Sequence, residues 1–178
     1  MARTWLSIRV DLVSGRGIDL WPRPGRILAA ARSHTFAQLA RSIELAFARW
    51  DLAHLHMFTL ADGTEIAHLA DWDGDAPDNC LDDSLKLNQL TVGEQFAYVF
   101  DFGDDWTHLC TVDASRIDPL ETVGITPPTP TAYFGWGDLP DQYGRRFDLD
   151  GRAELPTPPE PPLADLPPIL SEWGTPRG

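Results

Sequence analysis

The stretch FAYVFDFGDDWTHLC, residues 96–110, indicates the fold more clearly than any other part of the chain. Aromatic and apolar residues flank a Gly-Asp-Asp turn on both sides, which is typical of a β-hairpin. Two turn lengths are compatible with this hairpin. A three-residue turn over residues 103–105 places Phe100 opposite His108, in an aromatic row. A two-residue turn over the two aspartates places Asp101 opposite His108, and such a carboxylate–imidazole pair is the minimal arrangement that orients a general base.

The aspartates of this stretch also have a simpler explanation. An aspartate beside a glycine is common in turns, because its side chain accepts a hydrogen bond from a backbone N–H two residues later. We therefore favour a structural role for Asp101 and Asp104 over a catalytic one.

The neighbouring segments extend the hairpin into a larger sheet. Residues 4–12, TWLSIRVDL, alternate apolar and polar side chains as a half-buried strand does. A less regular strand over residues 18–30 contains Pro22 and Pro24, which cannot donate ladder hydrogen bonds and therefore suggest an edge position or a bulge. Residues 114–150 contain too much glycine and proline for long regular elements.

Residues 34–50, HTFAQLARSIELAFARW, predict an amphipathic helix. Thr35 as N-cap and Gln38 three residues later form a capping box. Apolar side chains at helical spacing form one stripe that must pack on a sheet or on another helix. The stripe consists of Phe36, Leu39, Ala40, Ile43, Phe47 and Trp50.

Residues 54–69, HLHMFTLADGTEIAHL, predict a second hairpin, because the Asp-Gly dipeptide at 62–63 suits a tight two-residue turn. This turn places His68 on the opposite face of the hairpin from His54 and His56. A cluster of three histidines from this hairpin is therefore excluded.

The pair His54 and His56 shares one face of a strand, a spacing that can share a metal ion. Two imidazoles are too few, and the natural further ligands are Asp101, Asp104 and His108. We favour structural, hydrogen-bonded histidines and expect no metal and no cofactor.

Other motifs do not indicate a class of enzyme. DWDGDAPDNCLD, residues 71–82, resembles a calcium-binding loop, but Ala76 stands where glycine is needed and Asp82 replaces the bidentate glutamate. We therefore expect a solvated acidic loop. The sequence contains no nucleophile elbow, phosphate-binding loop, zinc-protease helix or dinucleotide-binding fingerprint.

The charge is distributed unevenly over a chain whose net charge is -13. Residues 1–50 hold eight arginines and three acidic residues, whereas residues 51–178 hold six basic and 24 acidic residues. An acidic protein repels nucleic-acid phosphates, so nucleic acid is disfavoured as a partner and a protein partner is left open. The arginines are expected to be solvated or to pair with the acidic half.

The location is expected to be the cytoplasm. No apolar run approaches the roughly 18 to 20 residues of a membrane span, and the first residues do not resemble a signal peptide. Cys80 and Cys110 lack a partner motif, which fits reduced thiols. We assign residues 1–151 to one domain and residues 152–178, which contain eight prolines, to an extended, largely disordered tail.

Three segments in this order resemble the plasmid pRiA4b ORF-three-like family: AFARWDLAHLHMF (46–58), FDFGDDWTH (100–108) and YFGWGDLPDQYGR (133–145). The family includes a passenger protein of a mycobacterial insertion element, and the resemblance spans residues 4–148. It implies an α+β domain with a curved, mostly antiparallel sheet and no assigned activity. Other members have cysteines in the segment matching GWGDLPDQYG; their absence here weakens a metal role carried over from them.

Pattern and resemblance together predict an α+β fold, with a curved, mostly antiparallel sheet built from β-hairpins and one principal amphipathic helix packed on it. The predicted function is a non-enzymatic binding or accessory module. Its surface is expected between the two hairpins and the 133–145 loop, with aromatic contacts from Trp106, Tyr133, Trp136 and Tyr143 and polar anchors from His54, His56, Asp101, Asp104 and His108. The alternatives are an enzyme, either a hydrolase or a mobile-element nucleic-acid enzyme, that uses the Asp/His set, and weak DNA binding through the arginines.

Overall fold

The computed structural model describes residues 4–144. All strands in this range belong to one curved, open sheet, and strand β1 (Trp5–Gly15) lies in its interior. In chain order the other elements are β2 (Ile18–Asp19), β3 (Gly25–Ala31), α1 (Phe36–Ala46), β4 (His56–Thr59), β5 (Glu65–Ala67), β6 (Leu81–Asp82), β7 (Gln95–Phe100), β8 (Trp106–Val112), α2 (Pro119–Val123) and β9 (Thr131–Trp136). Short 3₁₀ turns cover Leu69–Trp72 and Leu87–Gln89.

The strand order is β6-β5-β4-β7-β8-β1-β3-β9, with β2 paired to β1. Every pairing between these strands is antiparallel except β5 with β6, which is parallel. The predicted α+β class, with a curved and mostly antiparallel sheet and one main helix, is confirmed. No helix within residues 4–144 is long and apolar enough to cross a membrane.

The core lies between α1 and one face of the sheet. Alternate residues of β1 and the apolar stripe of α1 are buried in the same cluster, as the two periodicities require. The capping box is present, because Thr35 Oγ1 accepts from Gln38 N at 3.1 Å and Gln38 Oε1 accepts from Thr35 N at 3.0 Å. The helix start and the buried positions up to Ile43 were therefore predicted correctly, whereas α1 ends at Ala46 and Trp50 lies in the loop after it.

The first hairpin has a different register from the predicted one. Phe58 pairs with Ile66, and Leu60 N donates to Thr64 O, so the turn has three residues, 61–63. Gly63 closes it with a φ of 86°, a conformation that favours glycine. A shift of one residue moves alternate side chains to the other face, so the exclusion of His68 from the face of His56 was wrong.

The second hairpin follows neither of the two predicted turns. Phe100 pairs with Trp106 and Tyr98 with His108, which leaves a five-residue turn over 101–105. His108 therefore lies in an aromatic row, with its ring 5.4 Å from that of Tyr98, and does not face Asp101.

Two further expectations need correction. Pro22 and Pro24 lie in the loop between β2 and β3, and β3 is an interior strand between β1 and β9. The glycine-rich segment after residue 130 supplies a six-residue strand, β9, that was not predicted. Gly25 allows this pairing, because a Cβ there would lie 2.1 Å from the ring of Trp136. The predicted tail and domain boundary lie outside the described residues.

Candidate functional site

Residues 139–144, here called the strap, are bound to the loop that follows α1. The Gln142 side chain is fully buried; its Oε1 accepts from Trp50 N at 2.9 Å and Asp51 N at 3.1 Å, and its Nε2 donates to Asp51 O at 2.7 Å. Trp50 Nε1 also donates to Asp141 Oδ1 at 3.3 Å. One glutamine side chain thus pairs with backbone groups as a strand would.

The strap carries Tyr143 to His54. The Tyr143 hydroxyl donates to Asp51 Oδ2 at 2.6 Å and lies 2.7 Å from His54 Nε2, so its oxygen is placed to accept from that nitrogen. His54 Nδ1 lies 3.5 Å from Asp101 Oδ2. The hydrogen bond from Tyr143 lowers the pKa of Asp51, while burial and this carboxylate raise the pKa of Tyr143. Three predicted site residues, one from each motif segment, therefore meet here.

Asp101 also shapes the turn, as its alternative interpretation predicted. Its carboxylate accepts from Gly103 N at 3.0 Å and from Asp104 N at 3.2 Å, and its backbone has a φ of 60°. Asp104 O accepts from Arg16 N at 2.6 Å, and Asp104 Oδ2 lies 3.5 Å from Arg16 Nη1. Asp104 therefore ties the turn to the end of β1 instead of joining His54.

Arg49 enters the interior from the end of α1. The backbone N–H of Arg49 donates to Glu44 O at 2.8 Å, and the backbone N–H of Ala48 donates to Leu45 O at 3.1 Å. Ala48 lies in the left-handed region, with a φ of 56°. This is the hydrogen-bond pattern of a Schellman C-cap, with alanine where glycine is usual. The cap turns the Arg49 side chain inward, where only 2% of the residue is exposed.

Among the described residues the Arg49 guanidinium has an aromatic contact but no hydrogen bond. Its carbon lies 3.9 Å from the centre of the Trp106 ring. Within residues 4–144 nothing accepts from its Nε, Nη1 or Nη2. Burial lowers the pKa of Arg49 to about 10, opposed by Asp141, Tyr98, Asp104 and Glu44, so the group is still charged at neutral pH.

Two more unpaired polar atoms belong to the same strand face. Trp106 Nε1 and His108 Nε2 are buried, and neither has a partner among the described residues. His108 Nδ1 lies 3.1 Å from Tyr98 O and donates to it, and its ring packs edge-on against Phe47 at 5.0 Å. Burial and Arg49 lower the pKa of His108 to about 3, so the imidazole is neutral and Nε2 is a free acceptor.

His56 belongs to a different group, here called the Asp83 cluster: Glu44, His56, His68, Asp82 and Asp83. His56 Nε2 donates to Asp83 Oδ2 at 3.0 Å, and His68 Nδ1 donates to Asp83 Oδ1 at 3.0 Å. Burial acts to raise the pKa of Asp83, but the two histidines outweigh it and the pKa is lowered. Asp83 in turn raises the pKa of His68.

The predicted aromatic surface is divided between the two faces of the sheet. Tyr133 bonds Ser7 at 2.8 Å and Trp136 stacks on Arg9 at 4.6 Å, on the face away from α1. Trp106 is buried on the α1 face, and Tyr143 lies beside Trp50. The four aromatic residues therefore do not form one surface. Tyr133 and Trp136 of β9 lie on the face of the sheet away from α1, whereas Trp106 lies on the face that contacts α1.

Sequence reasoning missed Arg49, Asp51, Asp83 and Gln142. Arginine and glutamine are usually exposed, and nothing in the sequence marks these two as buried. Asp83 lies in an acidic segment, and only its hydrogen bonds with His56 and His68, which the sequence does not show, distinguish it from the aspartates around it.

Comparisons with known proteins agree with the fold. The family described as Plasmid pRiA4b ORF-3-like protein matches residues 17–130. The crystal structure of a protein of unknown function from Methanosarcina mazei Go1 is similar, with a TM-score of 0.57 and 20% identity over 78% of this chain and 72% of that chain. No curated protein matches the chain.

Proposed function

The chain belongs to the plasmid pRiA4b ORF-3-like family, and from its site we propose that it is a non-enzymatic binding module whose ligand is held by Arg49. The proposal is carried by one observation: Arg49 is only 2% exposed, and its charged guanidinium donates to no atom of residues 4–144. Leaving a buried charge without hydrogen bonds costs several kcal/mol. Such a group is therefore a candidate for a role in binding rather than in stability.

The chemistry of the ligand follows from the donors around Arg49. A guanidinium presents five N–H donors in a planar fork that fits two oxygens of one carboxylate. Trp106 Nε1 adds a donor, and neutral His108 Nε2 adds an acceptor. The carboxylates of Asp141, Asp104 and Glu44 act electrostatically on Arg49, and the net charge of -13 repels polyanions. A singly charged carboxylate or a carbonyl oxygen suits this site better than a phosphate.

The surface around the site favours a protein partner as the source of the carboxylate. Phe102, in the turn beside Asp101, is 43% exposed, and its ring lies 5.7 Å from that of Trp72 at an angle of 52°. Exposed aromatic side chains next to polar anchors are typical of protein interfaces. We therefore expect a carboxylate-bearing segment of another protein to contact Phe102 and reach Arg49 past the strap.

The two cysteines do not favour catalysis by a thiol nucleophile. Burial raises the pKa of both Cys80 and Cys110, so neither is a thiolate at neutral pH. The enzyme alternative rests on His54, which lies between Tyr143, Asp51 and Asp101 and could act as a general base.

The proposal is tested with acetate as the simplest carboxylate. The full chain, labelled with ¹⁵N-arginine, is titrated with acetate, acetamide or inorganic phosphate at constant ionic strength, and the Nε–H resonances and the unfolding midpoint are followed. We expect acetate to shift one resonance and raise the midpoint, with phosphate weaker. The response should disappear in Arg49→Met and persist in Arg9→Met, an arginine on the opposite face.

The same response in both variants, or none in the wild type, would refute a site at Arg49. Hydrolysis of a chromogenic acetate ester that is lost in His54→Ala but kept in Arg49→Met would support the enzyme alternative instead.

A further inference from the structure

We propose that His68, Asp82 and Asp83 form a binding site for a divalent transition-metal ion of the zinc class, separate from Arg49. Each of the three side chains offers one ligand atom, and these atoms lie within 4.8 Å of one another. The set combines one imidazole with two carboxylates, so it is not merely a cluster of acids.

The spacing fits a single ion. Zinc binds histidine nitrogen and carboxylate oxygen at ~2.0–2.2 Å, so two ligands of a tetrahedral ion lie ~3.3 Å apart. His68 Nδ1 and Asp83 Oδ1 are 3.0 Å apart. A small opening of this pair, with rotation of Asp82, would admit an ion.

Asp83 is held in place by its backbone and by a second histidine. Asp83 N donates to Ala67 O at 2.9 Å, and Asp83 O accepts from Ala37 N at 2.8 Å. His56 Nε2 occupies the other carboxylate oxygen at 3.0 Å. One oxygen of a fixed, 2% exposed carboxylate is therefore directed at His68.

Behind His56 lies a further carboxylate. His56 Nδ1 is 3.9 Å from Glu44 Oε1, and that oxygen accepts from the Tyr98 hydroxyl at 2.7 Å. At 3.9 Å, His56 and Glu44 are not hydrogen-bonded to each other. The hydrogen bond from His56 Nε2 orients the Asp83 carboxylate that the ion would share with His68, as hydrogen bonds from outside the coordination shell do in metal sites.

The outer side of the site is open. The side chain of His68 is 47% exposed, so an ion can enter and water can complete its coordination. A mixed nitrogen and oxygen set suits zinc, nickel, cobalt or manganese, whereas calcium and magnesium prefer oxygen ligands alone.

Zinc binding to the chelator-treated full chain tests the site, by calorimetry and by the unfolding midpoint. An ion at a hundred times its dissociation constant should raise the midpoint by about 5 to 10 °C. The rise should be lost in His68→Ala, with the midpoint compared with that of the same variant free of metal, because removing a partner of Asp83 itself lowers stability. It should remain in His54→Ala, the neighbouring histidine that lies outside the site.

Calcium should have no effect, and cobalt should give a visible spectrum that His68→Ala abolishes. Arg49→Met should leave the zinc response unchanged, which separates this site from the proposed carboxylate site. No midpoint change and no heat with zinc would overturn the proposal, as would a response that persists in His68→Ala.

Discussion

Asp83 and Arg49 are equally buried, each only 2% exposed, yet their charged groups differ in their hydrogen-bond partners. Both oxygens of Asp83 accept from imidazoles at 3.0 Å. None of the three side-chain nitrogens of Arg49 has an acceptor within residues 4–144, and the guanidinium lies over the ring of Trp106. Equal burial therefore does not mean an equal role, and the difference lies in the partners.

The contrast separates a structural charge from one available to a ligand. A paired buried ion stabilises the fold only relative to the same ion unpaired, so removing its partner is costly. An unpaired buried ion destabilises the fold until something binds it. His108 shows a third solution, because it is buried and has lost its charge.

The largest effect is expected for Asp83→Asn, measured with a chelator present. This change neutralises a buried carboxylate that accepts from His56 and His68, and breaking a buried pair costs ~3–5 kcal/mol. Because the His68 side chain is 47% exposed, we expect the lower end of that range in urea unfolding. Asp82→Asn, at the more exposed neighbour, is the matched control and should cost less. Equal losses in the two variants would show that the pairing of Asp83 is not what matters.

The register of the first hairpin shows why this cluster was not predicted. The Asp-Gly dipeptide favours a two-residue turn, but the chain uses three residues with Gly63 in the left-handed region. That single added residue places His68 on the same face as His56. Both histidines bind Asp83, which follows His68 by 15 residues and His56 by 27. Alternation predicted the strands but could not fix the turn, because turn length depends on how the strands pack.

The fold was predictable where local signals agree with packing. The capping box and the apolar stripe fixed α1, and alternation fixed β1, because the buried face of each is written in its periodicity. The strap was not predictable, because Gln142 pairs with Trp50 across 92 positions and replaces a strand with a side chain. Likewise, no local pattern marks Arg49 as buried.

A second test concerns pH and His108. Its folded pKa of about 3 lies below the unfolded value of ~6.5, so only the unfolded chain takes up a proton between these values. The contribution of His108 to the free energy of unfolding is thus complete above pH 6.5. It is lost as the pH falls, by ~1.4 kcal/mol per pH unit, or ~2.7 kcal/mol by pH 4.5. His108→Gln keeps a hydrogen-bonding side chain without this titration. Urea unfolding at three pH values should therefore give a shallower slope for the variant, and parallel slopes would mean that His108 charges in the folded protein.

The smallest effect is expected for Arg49→Met, and its sign is the informative part. Methionine fills a similar space and needs no hydrogen bonds, so the variant no longer has to bury an unpaired charge. Loss of the contact with Trp106 removes ~0.5–2 kcal/mol of cation–π attraction and offsets part of the gain. We expect the free energy of unfolding to rise by about 1 kcal/mol, measured by urea unfolding without added carboxylate. Arg49→Lys keeps the charge but loses the planar fork, so it should be no more stable than the wild type. A fall of 3 kcal/mol or more in Arg49→Met, the loss expected when a buried ion pair is broken, would mean that Arg49 is paired in solution and that its difference from Asp83 does not exist.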